Sequence, residues 1–494
     1  MNDLKNKAIS GMFWSFLQRF GTKGISLLTM ILLARILTPK DFGLIAMIMI
    51  ILQISQAVID GGFNLALIQK KDADDDDYSS VFYINLIGSF ILYVLVFFTA
   101  DLISYFFDQP LLTKLIRVLS LVFIVNAFSF VQETKLTKEI KFKTLAIIHI
   151  PSVIFGGVVA LVSAFGGLGV WSIVFMQLST RLTYTIQIWI YSNWYPRLKF
   201  NWKKAKMLFS FGSKLLISNI VTAIYNNIFV VTIGRFYPVS SVGYYQNATN
   251  LTITPASTLT SALTGVFFPV FSQIQDDNPK LKSGYKRLLQ DTFFLVCPVF
   301  VLSGLLAKPL FGILLGDKWL PAIPYFRWLC VVGVLYPLNV IKLSIPNIKG
   351  RRDVFLKVEM IRRIAVTIAI AGSIIFLNEN IINLLIIQAF EYVFMFFLFG
   401  YYCGVFIQYS IFEQIRDLLP IFLLNILTGV IVFCLVLFLK DLSDINLFTI
   451  GFGAGILFYY GASSVLRFSW YLDLRSIFLN RVRSIAFVQM FSKI

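Results

Sequence analysis

The sequence predicts an all-α polytopic membrane protein of about fourteen transmembrane helices, in two six-helix lobes around a central cavity, with two further helices at the C-terminal end. Three observations carry this expectation. Of the 494 residues, 58% are hydrophobic and only 14% charged, with a mean hydropathy of +0.80, whereas a soluble domain is about half apolar and about a quarter charged. Apolar runs of about 20 residues recur along the whole chain, each long enough to cross about 30 Å of hydrocarbon. A short joint also occurs twice: Arg35 to Gly43, around Pro39, and Arg235 to Gly243, around Pro238, have the same spacing.

The spans read as 12–36, 42–64, 80–100, 114–131, 145–165, 169–191, 209–234, 243–271, 290–315, 323–345, 358–377, 381–403, 417–439 and 445–466. A short polar start, MNDLKNKAIS, precedes the first span, so that span reads as retained and not as a signal peptide. The first two spans are joined at Thr38-Pro39-Lys40-Asp41, where proline stops one helix and Gly43 opens the next. Ahead of the third lies the acidic run DADDDD (72–77), which reads as a solvated loop; four adjacent aspartates are not a preformed cation cage. After six spans comes the long basic segment 192–214, with Trp194, Tyr195 and Trp202 as interfacial anchors. It divides a lobe at 1–191 from a lobe at 215–403, and 404–494 adds two helices and a basic tail. Arg35 then ends the first helix of one lobe and Arg235 the first helix of the next, as a duplicated lobe requires. The repeated FGTK (20–23) and FGSK (211–214) need a different offset and add little. Glycines 451, 453, 455 and 461 of the last span read as close-packing positions.

An even number of spans puts both termini on one side. Segments on that side hold 30 of the 43 Lys and Arg residues, so the positive-inside rule makes it the cytoplasmic side. The net charge of +18 is then a topology signal and an attraction to anionic headgroups, with no call for nucleic acid.

Polar groups facing lipid are costly, about 2.5–3.5 kcal/mol for a charge at mid-helix, so polar stripes mark the bundle interior. The first span carries Gln18, Arg19, Thr22, Lys23, Ser26 and Thr29 at helical spacing; the second carries Gln53, Gln56, Asp60 and Asn64. Folded as a hairpin about the turn, the two would set Arg19 level with Asp60 as an ion pair and leave Lys23 less compensated. The seventh span shows Ser218, Asn219, Thr222, Asn226 and Asn227, and the eighth Gln246, Asn250, Thr254, Ser257, Ser261 and Thr264. These four spans are expected to line the cavity, with Arg19, Lys23, Gln56, Asp60, Arg181, Asn226, Gln246 and Asn250 as substrate-binding residues. Mid-span Arg181 and Glu391 either serve the cavity or tie helices together, while Lys342 is expected to snorkel to the interface. Asp60 and Glu391 are the candidate carriers of a coupling ion. The sequons at Asn247 and Asn250 fall inside a span and read as cavity residues.

Cys297, Cys330, Cys403 and Cys434 lie in apolar stretches and read as buried free thiols, and His149 is the only histidine. No spacing suits a metal, a cofactor or a nucleophile–base pair. There is no phosphate loop ending in Gly-Lys-Ser/Thr and no large outer loop for a polymerase or ligase. The chain is therefore expected not to be an enzyme.

The stretches LARILTPKDFGL (33–44), FKTLA (142–146), GGLGVWSIV (166–174), FGSKLLISN (211–219), VGYYQNATNL (242–251), FFPVFSQIQDD (267–277), LLGDKWLPAI (314–323) and KGRRDVFLK (349–357) together resemble a polysaccharide biosynthesis flippase. The type is the colanic-acid/teichuronic-acid exporter of the multidrug/oligosaccharidyl-lipid/polysaccharide exporter superfamily. The likeness runs from about residue 5 to about residue 400, and the set in order is more specific than any one motif. It implies two six-helix lobes about a central cavity in the bacterial inner membrane. The implied cargo is an oligosaccharide repeat unit on a polyprenyl pyrophosphate, for O-antigen, capsule or exopolysaccharide. Arg19 and Lys23, with Arg181, would meet the anionic headgroup by chemical logic, since such charges vary within the family. The implied partners are the lipid-linked oligosaccharide, the phospholipid membrane and a polymerase or glycosyltransferases. An ion-coupled small-molecule or drug exporter of the same superfamily is the alternative.

Overall fold

The computed structural model describes residues 2–60, 62–70, 72–202, 219–376 and 380–466. Residues 203–218, which include the end of the linker, FGSK (211–214) and Ser218, and the basic tail from 467 lie outside these. The regular structure among the described residues is helical, without strands. In chain order the helices are α1 (Asn2–Ile36), α2 (Pro39–Asp60), α3 (Phe63–Gln69), α4 (Asp75–Phe107), α5 (Leu111–Leu119), α6 (Leu121–Lys138), α7 (Phe142–Phe165) and α8 (Trp171–Tyr191). A helical stretch 219–226 leads to α9 (Ile228–Phe236) and α10 (Val239–Gln273). Then follow α11 (Asn278–Leu305), α12 (Ala307–Leu314), a 3-10 turn (Asp317–Ala322), α13 (Ile323–Ile348), α14 (Arg352–Phe376), α15 (Ile381–Ile407), α16 (Ile411–Phe438) and α17 (Asp444–Val465).

Ten segments among the described residues are long and apolar enough to cross a membrane; α5 with α6 makes one of them, and the 3-10 turn with α13 another. The expected count of about fourteen spans is thus not reached on apolarity alone. Helices α1, α8 and α14, at 35, 21 and 25 residues, have the length. Arg19, Lys23, Arg181, Arg362 and Arg363 interrupt their apolar character.

The chain forms two compact units, Met1–Gln246 and Asn247–Ile494. In the first, α7 packs against α1 on one side and α8 on the other. Adjacent glycines make both approaches close: a β-carbon at Gly156 would strike Thr180 of α8, and one at Gly157 would lie 2.8 Å from the Thr29 hydroxyl of α1. Helix α2 packs instead on α4, α5, α6 and α9. The expected α1–α2 hairpin does not form, because the glycine face of α7 takes α1. The turn falls where expected, but the second helix opens at Pro39 and not at Gly43. The Thr38 amide donates to Asp41 Oδ2 at 2.9 Å, its hydroxyl donates to the same oxygen at 2.7 Å, and α2 starts at Pro39. The second joint lies against the first. A β-carbon at Gly43 would overlap the Val239 carbonyl, and one at Gly243 would overlap the Pro39 carbonyl.

In the second unit one apolar core joins α11, α13, α15, α16 and α17 through Tyr285, Phe294, Leu338, Cys403, Leu424 and Tyr459. The last two helices therefore share this core. Of the last-span glycines, Gly451 and Gly455 are close-packing positions, pressed on Leu306 and Leu302, while Gly453 and Gly461 face open space. Cys297, Cys330 and Cys403 are buried free thiols, but Cys434 is exposed on α16.

Candidate functional site

The first unit holds a half-open polar cavity of about 300 Å³ among α2, α3, α6 and α8. Gln56 and Asp60 lie four residues apart on α2, and Asn126, Ser129 and Glu133 follow at three- and four-residue steps on α6, so each set shares a helix face. Asn64 of α3 and Arg181 of α8 complete the lining. Gln56 Oε1 accepts from Asn126 Nδ2 at 3.0 Å. Three buried oxygens, Asp60 Oδ1, Asn64 Oδ1 and Asn126 Oδ1, have no protein hydrogen-bond partner. Such groups are costly in an apolar surround unless water, a proton or a ligand satisfies them.

Behind the cavity, His149 of α7 brings Nε2 to 4.0 Å from Glu133 Oε1. The Tyr184 ring of α8 packs on the imidazole with centroids 4.2 Å apart. Tyr184 is 1% exposed, and its hydroxyl lies beside the Glu133 carboxylate. Its charged neighbours are Glu133 and Arg181. The Glu133 side chain keeps 42% of its surface open, toward the cavity it lines. No ion pair joins Arg181 to Asp60 or Glu133 among the described residues.

Of the residues expected to bind substrate, Gln56, Asp60 and Arg181 meet in this cavity. Arg19 and Lys23 are exposed on α1, and no ion pair links either to Asp60 among the described residues. The inferred Arg19–Asp60 pair is therefore absent, since it required the hairpin that α7 prevents. Asn226 is exposed, while Gln246 and Asn250 are half-buried on α10; none of the three lines the cavity. Its neighbour Asn227 donates from Nδ2 to Gln53 Oε1 at 2.9 Å, joining the segment before α9 to α2. Along α10, the hydroxyls of Thr252, Thr258, Thr260, Ser261 and Thr264 donate to carbonyls four residues earlier. The polar stripe is thus largely satisfied by its own helix.

Burial corrects two expectations, for Lys342 and for the acidic run, and shows what Glu391 touches. Lys342 does not snorkel. It is 0% exposed, with Nζ donating to the Phe396 carbonyl at 3.1 Å and lying 3.1 Å from the Phe396 ring centroid, because α15 covers α13 at that level. Glu391 is bound by Arg362 Nη1 at 3.0 Å, and Arg362 Nη2 reaches Glu359 at 2.8 Å, so the carboxylate ties α15 to α14. The acidic run is not a solvated loop. Asp74 and Asp77 form a capping box on α4, and Asp77, fully buried, pairs with Lys70 at 2.5 Å. Asp75 accepts from Trp194 Nε1 at 3.2 Å and pairs with Arg197 at 2.7 Å. The Arg197 and Asn201 amides donate to the Ser79 and Ser80 hydroxyls at 2.9 and 3.0 Å. The start of the linker is thereby strapped to α4, and Trp194, at 4% exposure, is a core residue and not an interfacial anchor.

Sequence reasoning missed Asn126, Ser129, Glu133, His149 and Tyr184. The fourth span was ended at 131, because Lys135 and Lys138 resemble a cytoplasmic flank, and Glu133 fell into the loop. The three- and four-residue steps from Asn126 to Glu133 were the available signal. Among the described residues, no group of three His, Cys, Asp or Glu side chains could hold a metal ion.

The chain resembles the lipopolysaccharide biosynthesis protein WzxC of Escherichia coli K12, at 28% identity over 356 residues and 72% of each chain. It also resembles the succinoglycan biosynthesis transport protein ExoT of Rhizobium meliloti, at 28% over 384 residues and 76% of each. A third relative is the teichuronic acid biosynthesis protein TuaB of Bacillus subtilis, at 25% over 355 residues, covering 72% of this chain and 74% of that one. In fold it is similar to the lipid II flippase MurJ in an inward closed conformation, with TM-score 0.74, 17% identity, and 94% of this chain and 99% of that one covered. It is also similar to an inward-facing multidrug resistance MATE family transporter of the MOP superfamily, with TM-score 0.57 and 16% identity, covering 79% and 96%. Residues 32–324 match the family described as polysaccharide biosynthesis protein, and the chain belongs to that family.

Proposed function

We propose that the protein moves an oligosaccharide repeat unit, carried on a polyprenyl pyrophosphate, from the cytoplasmic to the outer leaflet of the bacterial inner membrane. Relatives named for lipopolysaccharide, teichuronic acid and succinoglycan synthesis support the cargo class. The observation that carries the reading is a polar cavity, bearing Arg181 of α8, set against α2 and α6, whose segments are apolar enough to span a membrane. Polar surface at that depth is retained for a polar cargo. In this reading the lobes 1–191 and 215–403 alternate access to a central cavity while the prenyl tail stays in lipid. Both termini are cytoplasmic, consistent with 30 of 43 basic residues on that side. Arg19, Lys23 and Arg181 attract the pyrophosphate; Gln56, Asn226, Gln246 and Asn250 offer hydrogen bonds to sugars; and Asp60 or Glu391 carries a coupling ion. A polymerase or glycosyltransferases work on either side of the step.

The test is restoration of surface polysaccharide in a strain lacking the native gene. Arg19→Ala, Lys23→Ala and Arg181→Ala, each at normal protein level, are expected to reduce it at least about tenfold, as loss of a charge-assisted contact implies. Normal polysaccharide from the triple variant removes the headgroup role. A drug exporter is the second reading, favoured by Asp60 and Glu133 outnumbering Arg181 in the cavity. It predicts drug resistance on overexpression and no restored polysaccharide.

A further inference from the structure

A second cavity, of about 380 Å³, opens where the start of α7 meets the start of α1. Ser10 and Trp14 line it from α1, and Lys141, Lys143 and Thr144 line it from the turn into α7. The transport cycle proposed above uses none of these residues. We propose that the cavity holds the phosphate of an anionic phospholipid, bound as a resident ligand and not as cargo. The inference goes beyond the flippase reading: a drug exporter of this fold would carry the same site.

The backbone builds the site. Helix α6 ends in a Schellman turn, in which the Ile140 amide donates to the Thr137 carbonyl at 3.1 Å and the Lys141 amide to the Leu136 carbonyl at 2.9 Å. Ile140 occupies the left-handed position of that turn, at φ 57°, where a β-branched side chain is rare and costly. Its side chain seats α1 instead. A β-carbon at Gly11 would lie 3.3 Å from Ile140 Cγ2 and 2.9 Å from Phe142 Cδ2. Glycine at 11 thus lets α1 close on the turn, and the cavity opens beside that contact.

The charge suits one phosphodiester. Lys141 Nζ pairs with Glu139 Oε2 at 2.7 Å. Lys143 Nζ lies 5.6 Å from the Trp14 ring centroid, and no carboxylate pairs with it among the described residues. Two ammonium groups and one carboxylate leave one net positive charge, the complement of a phosphodiester monoanion and not of a pyrophosphate. The N-cap of α7 is Lys141, and no side chain caps this 24-residue helix. Its first turn therefore adds amide donors and a positive dipole end beside the lysines.

The position suits a lipid headgroup. From Phe142 onward α7 is apolar enough to span a membrane, so the lysines stand at the interface, where tryptophan is also enriched. One turn deeper, Leu17 of α1 and Ile147 of α7 are exposed and offer apolar surface to acyl chains, for which free phosphate has no use. Basic pockets between membrane helices take anionic headgroups in this way. With both termini cytoplasmic, as proposed above, the lipid comes from the cytoplasmic leaflet.

The experiment is native mass spectrometry of the full chain released from detergent, titrated with dioleoyl phosphatidylglycerol or, separately, dioleoyl phosphatidylcholine. Wild type is expected to bind the first phosphatidylglycerol about fivefold more tightly or better, as about one charge at the interface implies. Lys141→Gln with Lys143→Gln is expected to remove that preference while phosphatidylcholine binding and the melting temperature stay as they were, since both lysines are exposed. Glu139→Gln releases Lys141 and is expected to tighten phosphatidylglycerol binding several-fold, a gain that structural damage does not give. Lys357→Gln, at an exposed lysine of α14, is expected to change nothing. Inorganic phosphate and farnesyl pyrophosphate, each added at the concentration of the lipid, separate the sources and are expected not to displace it. Equal binding of the two lipids by wild type, an undiminished preference in the double lysine variant, a Glu139→Gln variant no tighter than wild type, or displacement by either competitor overturns the proposal. None of these outcomes touches the flippase reading, which stands or falls on restored polysaccharide.

Discussion

Gly43 and Gly243 each leave room for the backbone beside the other: the space of a Gly43 β-carbon is filled by the Val239 carbonyl, and that of Gly243 by the Pro39 carbonyl. The joint that occurs twice in the sequence thus meets its own copy, and the contact is reciprocal. Gly43→Ala and Gly243→Ala are each expected to destabilise the protein by about 1–3 kcal/mol through forced backbone shift. Because one displacement relieves both overlaps, the double variant should lose less than the sum. Thermal unfolding in detergent measures this, and strict additivity would show the two contacts to be independent.

The Glu391–Arg362 pair is mostly buried, at 8% and 23% side-chain exposure. Arg362→Ala is expected to cost about 3–5 kcal/mol, because it strands a carboxylate. Glu391→Leu with Arg362→Met should recover stability and polysaccharide together. Recovered stability with transport still lost would return Glu391 to the role of ion carrier.

Lys342 presents the opposite case. A buried ammonium with one carbonyl and one ring face is poorly compensated. Lys342→Met keeps the volume and removes the charge, so it is expected to leave the melting temperature unchanged or raise it. A fall comparable to that of Arg362→Ala would show that Lys342 is needed as a cation.

Asp75 holds the linker through Trp194 and Arg197. Asp75→Ala is expected to speed tryptic cleavage at Arg197 and Lys199 several-fold, since opening of the local strap, and not global unfolding, limits access. Limited proteolysis followed by mass spectrometry reads the sites, and an unchanged rate would show that the Ser79 and Ser80 contacts suffice alone.

The α2 side of the cavity was legible in the sequence because Gln56 and Asp60 stand one helical turn apart on an apolar helix and Asn64 follows at the same spacing at the start of α3. The α6 side was not, because Lys135 and Lys138 imitate a membrane boundary and concealed Glu133. Lys138 in fact donates to the Leu67 and Lys70 carbonyls at the end of α3, at 3.0 and 2.5 Å. Pairing Arg19 with Asp60 by distance from the turn assumed that consecutive helices are neighbours. Two glycines on α7 decide otherwise, and nothing local to α1 or α2 announces them. The fate of Lys342 depends on Phe396, and that of Asp75 on Trp194; such partners lie too far along the chain for spacing rules to reach.

The exposure of Cys434 gives the molecule a ready chemical handle. The other three thiols are enclosed by packed helices, whereas Cys434 lies on the open face of α16. A membrane-permeant maleimide dye should therefore mark one place on the wild-type chain, so a fluorescence reporter on the second unit requires no engineered cysteine.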